Sequence, residues 1–344
     1  MLVGRRGMSA RTVYFTGDEA VEVKRESVPE VTPETVLVET TYSGISAGTE
    51  GLVYRGDVPT PLQSTGPVKP LADDFTYPVA YGYATVGRVV AVGEAIDDDW
   101  LDERVFAYAP HSSHVRVSPT ELVRVPESVP SERAPLFANV ETAVTLALDA
   151  NPAIGERVAI FGQGVVGVLV TGLLAGSSLT DLVAVEPLSA RRERARSMGA
   201  THAVPPDTSD PGRAIREAID ERVDCCVEVS GNPNALESAI AATRYDGRVV
   251  VGSWYGTKPV DLPLGGRFHR NRIDIESSQV STIAPRYRGR WSRDRRRQVA
   301  WNRLESLPVE DLITHRIPVE EADRAYELLA EHPRDVGQVL LVYE

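Results

Sequence analysis

The sequence predicts an α/β protein that joins a β-rich domain to a doubly wound parallel sheet. Two patterns carry that prediction. From Arg11 to about Pro126, short apolar or alternating runs are punctuated by Gly, Pro and Asp turns, as in a barrel or sandwich. From Arg157 to about Gly252, apolar strands alternate with helix-compatible stretches, which is the signature of a parallel sheet covered by helices. The length of 344 residues accommodates two domains at about 150 residues each.

Taken in order, MLVGRRGMSA reads as a disordered lead-in over residues 1–10, with Met8 a candidate true start. The runs TVYF, AVEVK, TVLVETTY, GRVVAVG, RVFAYA, HVRVS and LVRVP are the strands of the first domain. Ser131–Leu148, rich in Ala, Leu and Val, reads as a linking helix. Then follow strand RVAIF, the helix opening at Val165, strand DLVAVE, helix LSARRERARSMG and strand THAVP. Helix GRAIREAID, strand VDCCVEV, helix NALESAIAATR and strand GRVVVGS complete the alternation. Ile273–Ser278 is a further strand, Arg293–Glu305 a helix, and the tail reads strand, helix, strand. These patterns divide the chain into 11–137, 138–282 and a C-terminal 283–344.

Composition is that of an ordinary soluble globular protein, with 42% apolar and 25% charged residues. No apolar run reaches the roughly 18–20 residues of a membrane span, and no signal-peptide pattern opens the chain. The two cysteines, Cys225 and Cys226, are adjacent on a strand and point to opposite faces, so they read as reduced core thiols of a cytoplasmic protein. The net charge of −12 argues against general nucleic-acid binding.

The most informative segment is RVAIFGQGVVG. Gly162, Gly164 and Gly167 stand at G-x-G-x-x-G spacing, with Gln163, Val165 and Val166 between them. A dinucleotide site needs a tight first turn, room for a pyrophosphate at the second glycine, and close helix packing at the third. Unpaired N–H groups at the helix start then face the phosphates. Glu186 ends the next strand, 19 positions past Gly167, where a carboxylate bonds ribose hydroxyls and repels a 2′-phosphate. Arg191 and Arg192 weigh the other way, because they reach toward a phosphate. The balance favours NAD over NADP.

The element order, together with YSGISAGTE (Tyr42–Glu50), YPVAYGYATVGRVVAVG (Tyr77–Gly93) and THRIPVEEADRAYELL, resembles the medium-chain dehydrogenase/reductase superfamily, relatives of the zinc alcohol dehydrogenases. The SGIS-GTE and YGYA segments are most similar to its bacteriochlorophyllide-dehydrogenase-like branch. The resemblance implies a split GroES-like catalytic domain around a Rossmann domain, a nicotinamide cofactor, a small-molecule substrate and a homodimer. It also places Thr142 and Arg191 against the cofactor, and Ser230, Gly231, Gly252, Ser253 and Trp254 in turns lining it.

The departures bear on mechanism. Where zinc members carry Cys, His and a further Cys or Glu, this chain has Ser46 or Ala47, Tyr83, and a position near Ala138. A catalytic zinc wants three ligands from Cys, His, Asp or Glu, so no zinc is expected. The carbonyl must then be polarised by a hydrogen-bond donor or general acid. Tyr83 is the first candidate, against a packed tyrosine filling an empty metal pocket. Thr49 matches a proton-relaying hydroxyl of the family. Glu50 orients Tyr83, takes a proton, or pairs with Arg55, the last being the simplest expectation. His269, in GRFHRNR, is a further candidate acid, while His111, His114 and His315 rank lower. The basic run Arg286–Arg297 reads as a solvated helix start, a carboxylate- or phosphate-binding rim, or a nucleic-acid platform.

The function expected is a zinc-independent NAD(P)-dependent oxidoreductase interconverting a secondary alcohol and a ketone on a large or anionic substrate. Two alternatives stand beside it. One is reduction of an activated C=C bond, as in quinone-reductase-like relatives. The other is a nucleotide-binding sensor or RNA-binding protein without turnover.

Overall fold

The computed structural model describes residues 9–59, 76–207, 209–210 and 212–344. The expected lead-in up to Met8 lies outside them, and Ser9 and Ala10 already belong to the first strand.

The chain divides into two compact units, one containing residues up to Ala138 and Val309–Glu344, the other Asn139–Pro308. The return to the first unit therefore falls at Val309 rather than at residue 283. The helix Arg293–Ser306, which the sequence groups with the C-terminal segment, belongs with the parallel-sheet unit.

The first unit begins with β1 (Ser9–Gly17), β2 (Ala20–Ser27), β3 (Val36–Ile45) and the short helix α1 (Thr49–Tyr54). Strands β4 (Val79–Ala80), β5 (Thr85–Val92), β6 (Arg104–Ala107), β7 (His114–Val117) and β8 (Leu122–Arg124) follow. Valines on β3, β5 and β6, with Val115 and Leu122, fill its core, and burial of such side chains stabilises by about 1.5–3 kcal/mol each.

Helix α2 (Phe137–Ala150) carries the chain onward. It starts six residues later than expected, because Pro135 has no N–H for a helix interior and confines 134–136 to a 3₁₀ turn. The second unit comprises β9 (Arg157–Phe161), α3 (Val165–Ala175), β10 (Asp181–Val185), α4 (Ser189–Ser197), β11 (His202–Val204) and α5 (Arg213–Ile219). It continues with β12 (Val223–Glu228), α6 (Pro233–Ala242), β13 (Thr243–Val251), α7 (Arg267–Arg270), β14 (Asp274–Ser277) and α8 (Arg293–Ser306). Its strands pair in parallel in the order β11-β10-β9-β12-β13-β14, so the chain runs outward from β9 in both directions. That reversal beside β9 is the point where doubly wound sheets open a crevice at the carboxyl ends of their strands. Cys225 and Cys226 are buried free thiols on β12, and burial pushes Cys225 up to about 12.

The chain returns through β15 (Ile313–Pro318), α9 (Ala322–Glu331) and β16 (Gln338–Val342). In the first unit β16 joins the sheet between β15 and β3, giving β15-β16-β3-β5-β6-β8. The architecture is the predicted α/β one, a GroES-like β-rich unit and a Rossmann sheet. No described helix is long and apolar enough to cross a membrane.

Candidate active site

In the second unit the glycine fingerprint has the geometry its spacing predicts. Gly162 sits at φ +90°, and a Cβ there would lie 2.6 Å from Ser230 Cα. A Cβ on Gly167 would lie 1.9 Å from Gly162 O, so only glycine lets α3 approach β9 this closely. Gly164 is different: a Cβ there meets nothing within 4 Å. It caps α3 with no side-chain hydrogen bond, leaving helix-start N–H groups facing open space. Gln163 is buried between Ile160 O (3.3 Å) and the Thr171 hydroxyl (3.0 Å), which pins the loop.

Glu186 is held at the tip of β10. Its carboxylate accepts from Gln163 N at 2.8 Å and Leu188 N at 3.1 Å. Arg192 donates to the carbonyls of Glu186 (2.8 Å) and Pro187 (2.7 Å), which commits one of the two arginines set against NAD. Arg191 is half-buried on α4. Gly231 N donates to Ser253 Oγ (2.8 Å), joining the turns after β12 and β13. Gly252 packs against Leu146, one turn beyond half-buried Thr142 on α2, and Trp254 is half-buried in the same turn as Ser253. Sequence reasoning missed Glu228, fully buried at the carboxyl end of β12. It accepts from Ser230 N (2.7 Å), Ser230 Oγ (2.5 Å) and Tyr255 OH (2.5 Å). Burial, and then the Glu228 charge, push the Tyr255 phenol well above its usual range.

His269 does not belong to this constellation. It is exposed on α7, whose Arg267 donates to Thr243 O at the first residue of β13. That is the amino edge of the parallel sheet, opposite to the glycine loop. The Arg286–Arg297 run is committed within its own unit. Arg286 bonds Glu276 and Asp149, Arg295 lies over the Trp291 ring, and buried Arg296 bonds Glu141, Thr145 and Val280 O. Of these arginines, only Arg296 is buried; Arg286, Arg288, Arg290, Arg293 and Arg295 stay exposed on the surface of this unit.

The first unit brings Ser46, Thr49, Glu50 and Tyr83 together. Strand β3 ends at Ile45, and the chain turns into α1, with Glu50 N donating to Ser46 O (2.8 Å). Tyr83 is half-buried and donates to Ser46 Oγ at 2.5 Å, with Thr49 Oγ1 at 3.4 Å. Burial, and then the negative charge of Glu50, hold its phenol above the ordinary value; the two hydroxyl contacts act the other way.

Glu50 does not pair with Arg55, which bonds Asp57 instead. It is fully buried, and its carboxylate accepts from Ser46 N (2.8 Å), His111 Nε2 (2.8 Å) and Tyr326 OH (2.5 Å). A buried carboxylate needs such donors, because an unpaired charge in low dielectric is costly. His111, also fully buried, contacts Ser43 Oγ through Nδ1 (2.7 Å), and Ser43 Oγ contacts Tyr343 OH (2.8 Å). Gly82, at φ +132°, lies over the His111 ring; a Cβ there would sit 2.7 Å from Cδ2. His114 instead pairs with Ser113 and Glu39, and His315 with Thr314.

At the positions where the resemblance puts zinc ligands, Ser46, Tyr83 and Ala138 supply two neutral hydroxyls and a methyl group, a donor set that does not fit zinc. Among the described residues no three His, Cys, Asp or Glu side chains converge as metal ligands.

The family model for zinc-binding dehydrogenases matches residues 165–294. D-guloside 3-dehydrogenase of Escherichia coli (strain K12) is 26% identical over 260 residues, covering 73% of this chain and 74% of the relative. (R,R)-butanediol dehydrogenase of Bacillus subtilis (strain 168) is 25% identical over 290 residues, with 76% and 81% covered. An alcohol dehydrogenase of Escherichia coli CFT073, solved with NADH, superposes with a TM-score of 0.80 at 18% identity, covering 98% of this chain and 100% of that one. Glycine loop, parallel sheet and β-rich unit together define a dinucleotide-dependent dehydrogenase fold. The chain is similar to the dehydrogenases of the medium-chain dehydrogenase/reductase superfamily, and these relatives support an oxidoreductase.

Proposed function

We propose that the protein interconverts a secondary alcohol and a ketone with NAD, without zinc, using Tyr83 as the proton donor and acceptor. The observation that carries this reading is the Tyr83–Ser46–Thr49 hydroxyl cluster, standing where the family's metal ligands would be. The names of the two curated relatives denote dehydrogenation of hydroxyl groups, which supports the reaction class.

A bound nicotinamide supplies or takes up the hydride. The helix-start N–H groups after Gly164 would hold its pyrophosphate, and Glu186 would accept from the ribose diol. In the reducing direction the Tyr83 phenol hydrogen-bonds the substrate carbonyl and gives its proton to the oxygen as charge develops. Ser46 and Thr49 then hydrogen-bond the phenolate until a proton returns. In the oxidising direction the phenol first passes its proton to solvent through the Ser46 and Thr49 hydroxyls, and the phenolate so formed takes the alcohol proton. Burial, and then the charge of Glu50, which is itself held by three donors, keep the phenol protonated at rest. Glu186 favours NAD.

Tyr83→Phe tests the proposal. Turnover on a panel of ketones should fall by about 10²–10⁴-fold, the range contributed by a positioned acid. NADH should still titrate normally, and more tightly than NADPH. Turnover within threefold of the parent would remove Tyr83 from the mechanism.

A further inference from the structure

We propose a second ligand site in the parallel-sheet unit, at the amino edge of the sheet, that binds a small phosphorylated metabolite through Arg216, Arg222 and Arg267. A cavity of about 310 Å³ opens there, and these three arginines line it. They come from three places: α5, the turn before β12, and α7. The glycine loop lies at the other edge of the same sheet, so a dinucleotide held there does not reach this cavity.

The charges do not balance from within. Arg216 bonds Asp210 at 2.7 Å. Glu237 is the other carboxylate on the cavity wall, which leaves three cations against two anions in a chain whose net charge is −12. Arg222 Nη1 donates to Ala241 O and Arg267 Nη2 to Thr243 O at 2.8 Å, so both guanidiniums are anchored on carbonyls where α6 ends. Capping the negative end of a helix accounts for one cation there. It does not account for three in one half-buried cavity, where like charges oppose one another.

Each guanidinium carries five N–H donors, and Arg267 Nε is buried without a hydrogen-bond partner among the described residues. Burial, and then the neighbouring arginines, depress the pKa of both Arg222 and Arg267; Asp210 opposes this only in part at Arg222. A tetrahedral phosphate presents oxygens to guanidiniums arriving from three directions, whereas a carboxylate presents two in one plane. Ile240 and Pro263 give the cavity an apolar wall for the body of a phosphate ester.

The test is calorimetric titration of the full chain with inorganic phosphate, phenyl phosphate and acetate at low salt. Each titration is run with and without NADH, so that phosphate displaced from the glycine loop is told apart from phosphate in the cavity. The site predicts one saturable phosphate per chain that persists with NADH. Phenyl phosphate should bind more tightly than inorganic phosphate, and acetate at least tenfold more weakly. Arg222→Gln and Arg267→Gln should each weaken phenyl phosphate binding tenfold or more. Glu237→Gln, which removes an opposing charge and no cation, should tighten it. Absence of saturable binding, acetate binding as tightly as phosphate, or unchanged affinity in Glu237→Gln would each overturn the proposal.

Discussion

Tyr83 and His111 sit on two sides of one buried carboxylate and have different duties. Tyr83 reaches the hydroxyl cluster, whereas the His111 ring nitrogens bond Glu50 and Ser43. His111→Asn withdraws a donor from a fully buried carboxylate, and breaking such a pair costs about 3–5 kcal/mol. The expected outcome is a protein whose melting temperature drops by several degrees in a calorimetric scan. Tyr326→Phe, which removes one of three donors, should cost about 1–3 kcal/mol. Equal stability of the parent and His111→Asn would mean that the His111–Glu50 hydrogen bond does not stabilise the fold. None of this was legible at positions 111 and 326. A lone histidine in a loop and a tyrosine in an amphipathic helix carry no local signal, and their partner lies 61 and 276 residues away in sequence. Tyr83, Thr49 and Glu50 were found because they lie inside segments shared with the family. The partner chosen for Glu50 was wrong because Arg55, near in sequence, is nearer still to Asp57.

The strand–loop–helix unit β9–α3 separates binding from folding within one motif. Gly164→Ala adds a methyl group to open space, so stability should be unchanged while NADH affinity falls tenfold or more, because the methyl occupies the approach of the pyrophosphate. Gly167→Ala drives a methyl into the Gly162 carbonyl and should lower thermal stability as well. Thermal melts with NADH titrations distinguish the two; loss of stability in Gly164→Ala would contradict the assignment. This unit was readable because each glycine answers to a local constraint. Helix α7 was not. The loop after β13 crosses back to the amino edge of the sheet, and nothing in GRFHRNR reports the end of the sheet to which a connection returns. Glu228 was likewise hidden, since a carboxylate ending an apolar strand reads the same whether its oxygens meet solvent or Ser230 and Tyr255.

Across the whole molecule, the first unit buries an unusual set of neutral phenols. Burial, chiefly, and the charge of Glu50 raise Tyr81 and Tyr326 above the ordinary phenol value; burial does the same for Tyr343. The unfolded chain ionises its tyrosines near pH 10, where the folded chain keeps these neutral. Their contribution to stability is therefore complete below about pH 10 and is lost as pH rises toward their native values. Alkaline titration followed at the phenolate absorbance should show these phenols ionising together with unfolding; ionisation in the native state would refute their burial. At this scale the two-part architecture was legible because strand–helix alternation and short β-runs differ in period. The point of return was not, because the helix Arg293–Ser306 has no apolar stripe to tell which unit it covers: Arg296, one of its buried contacts, is a cation held by Glu141. The central claim is that hydroxyls do the work of a metal, and the most direct measurement is the zinc content of the purified chain, with ketone turnover before and after exhaustive chelation. The hydroxyl site predicts far less than one zinc per chain and unchanged turnover. One zinc per chain, with turnover lost on its removal and restored on its return, would contradict it.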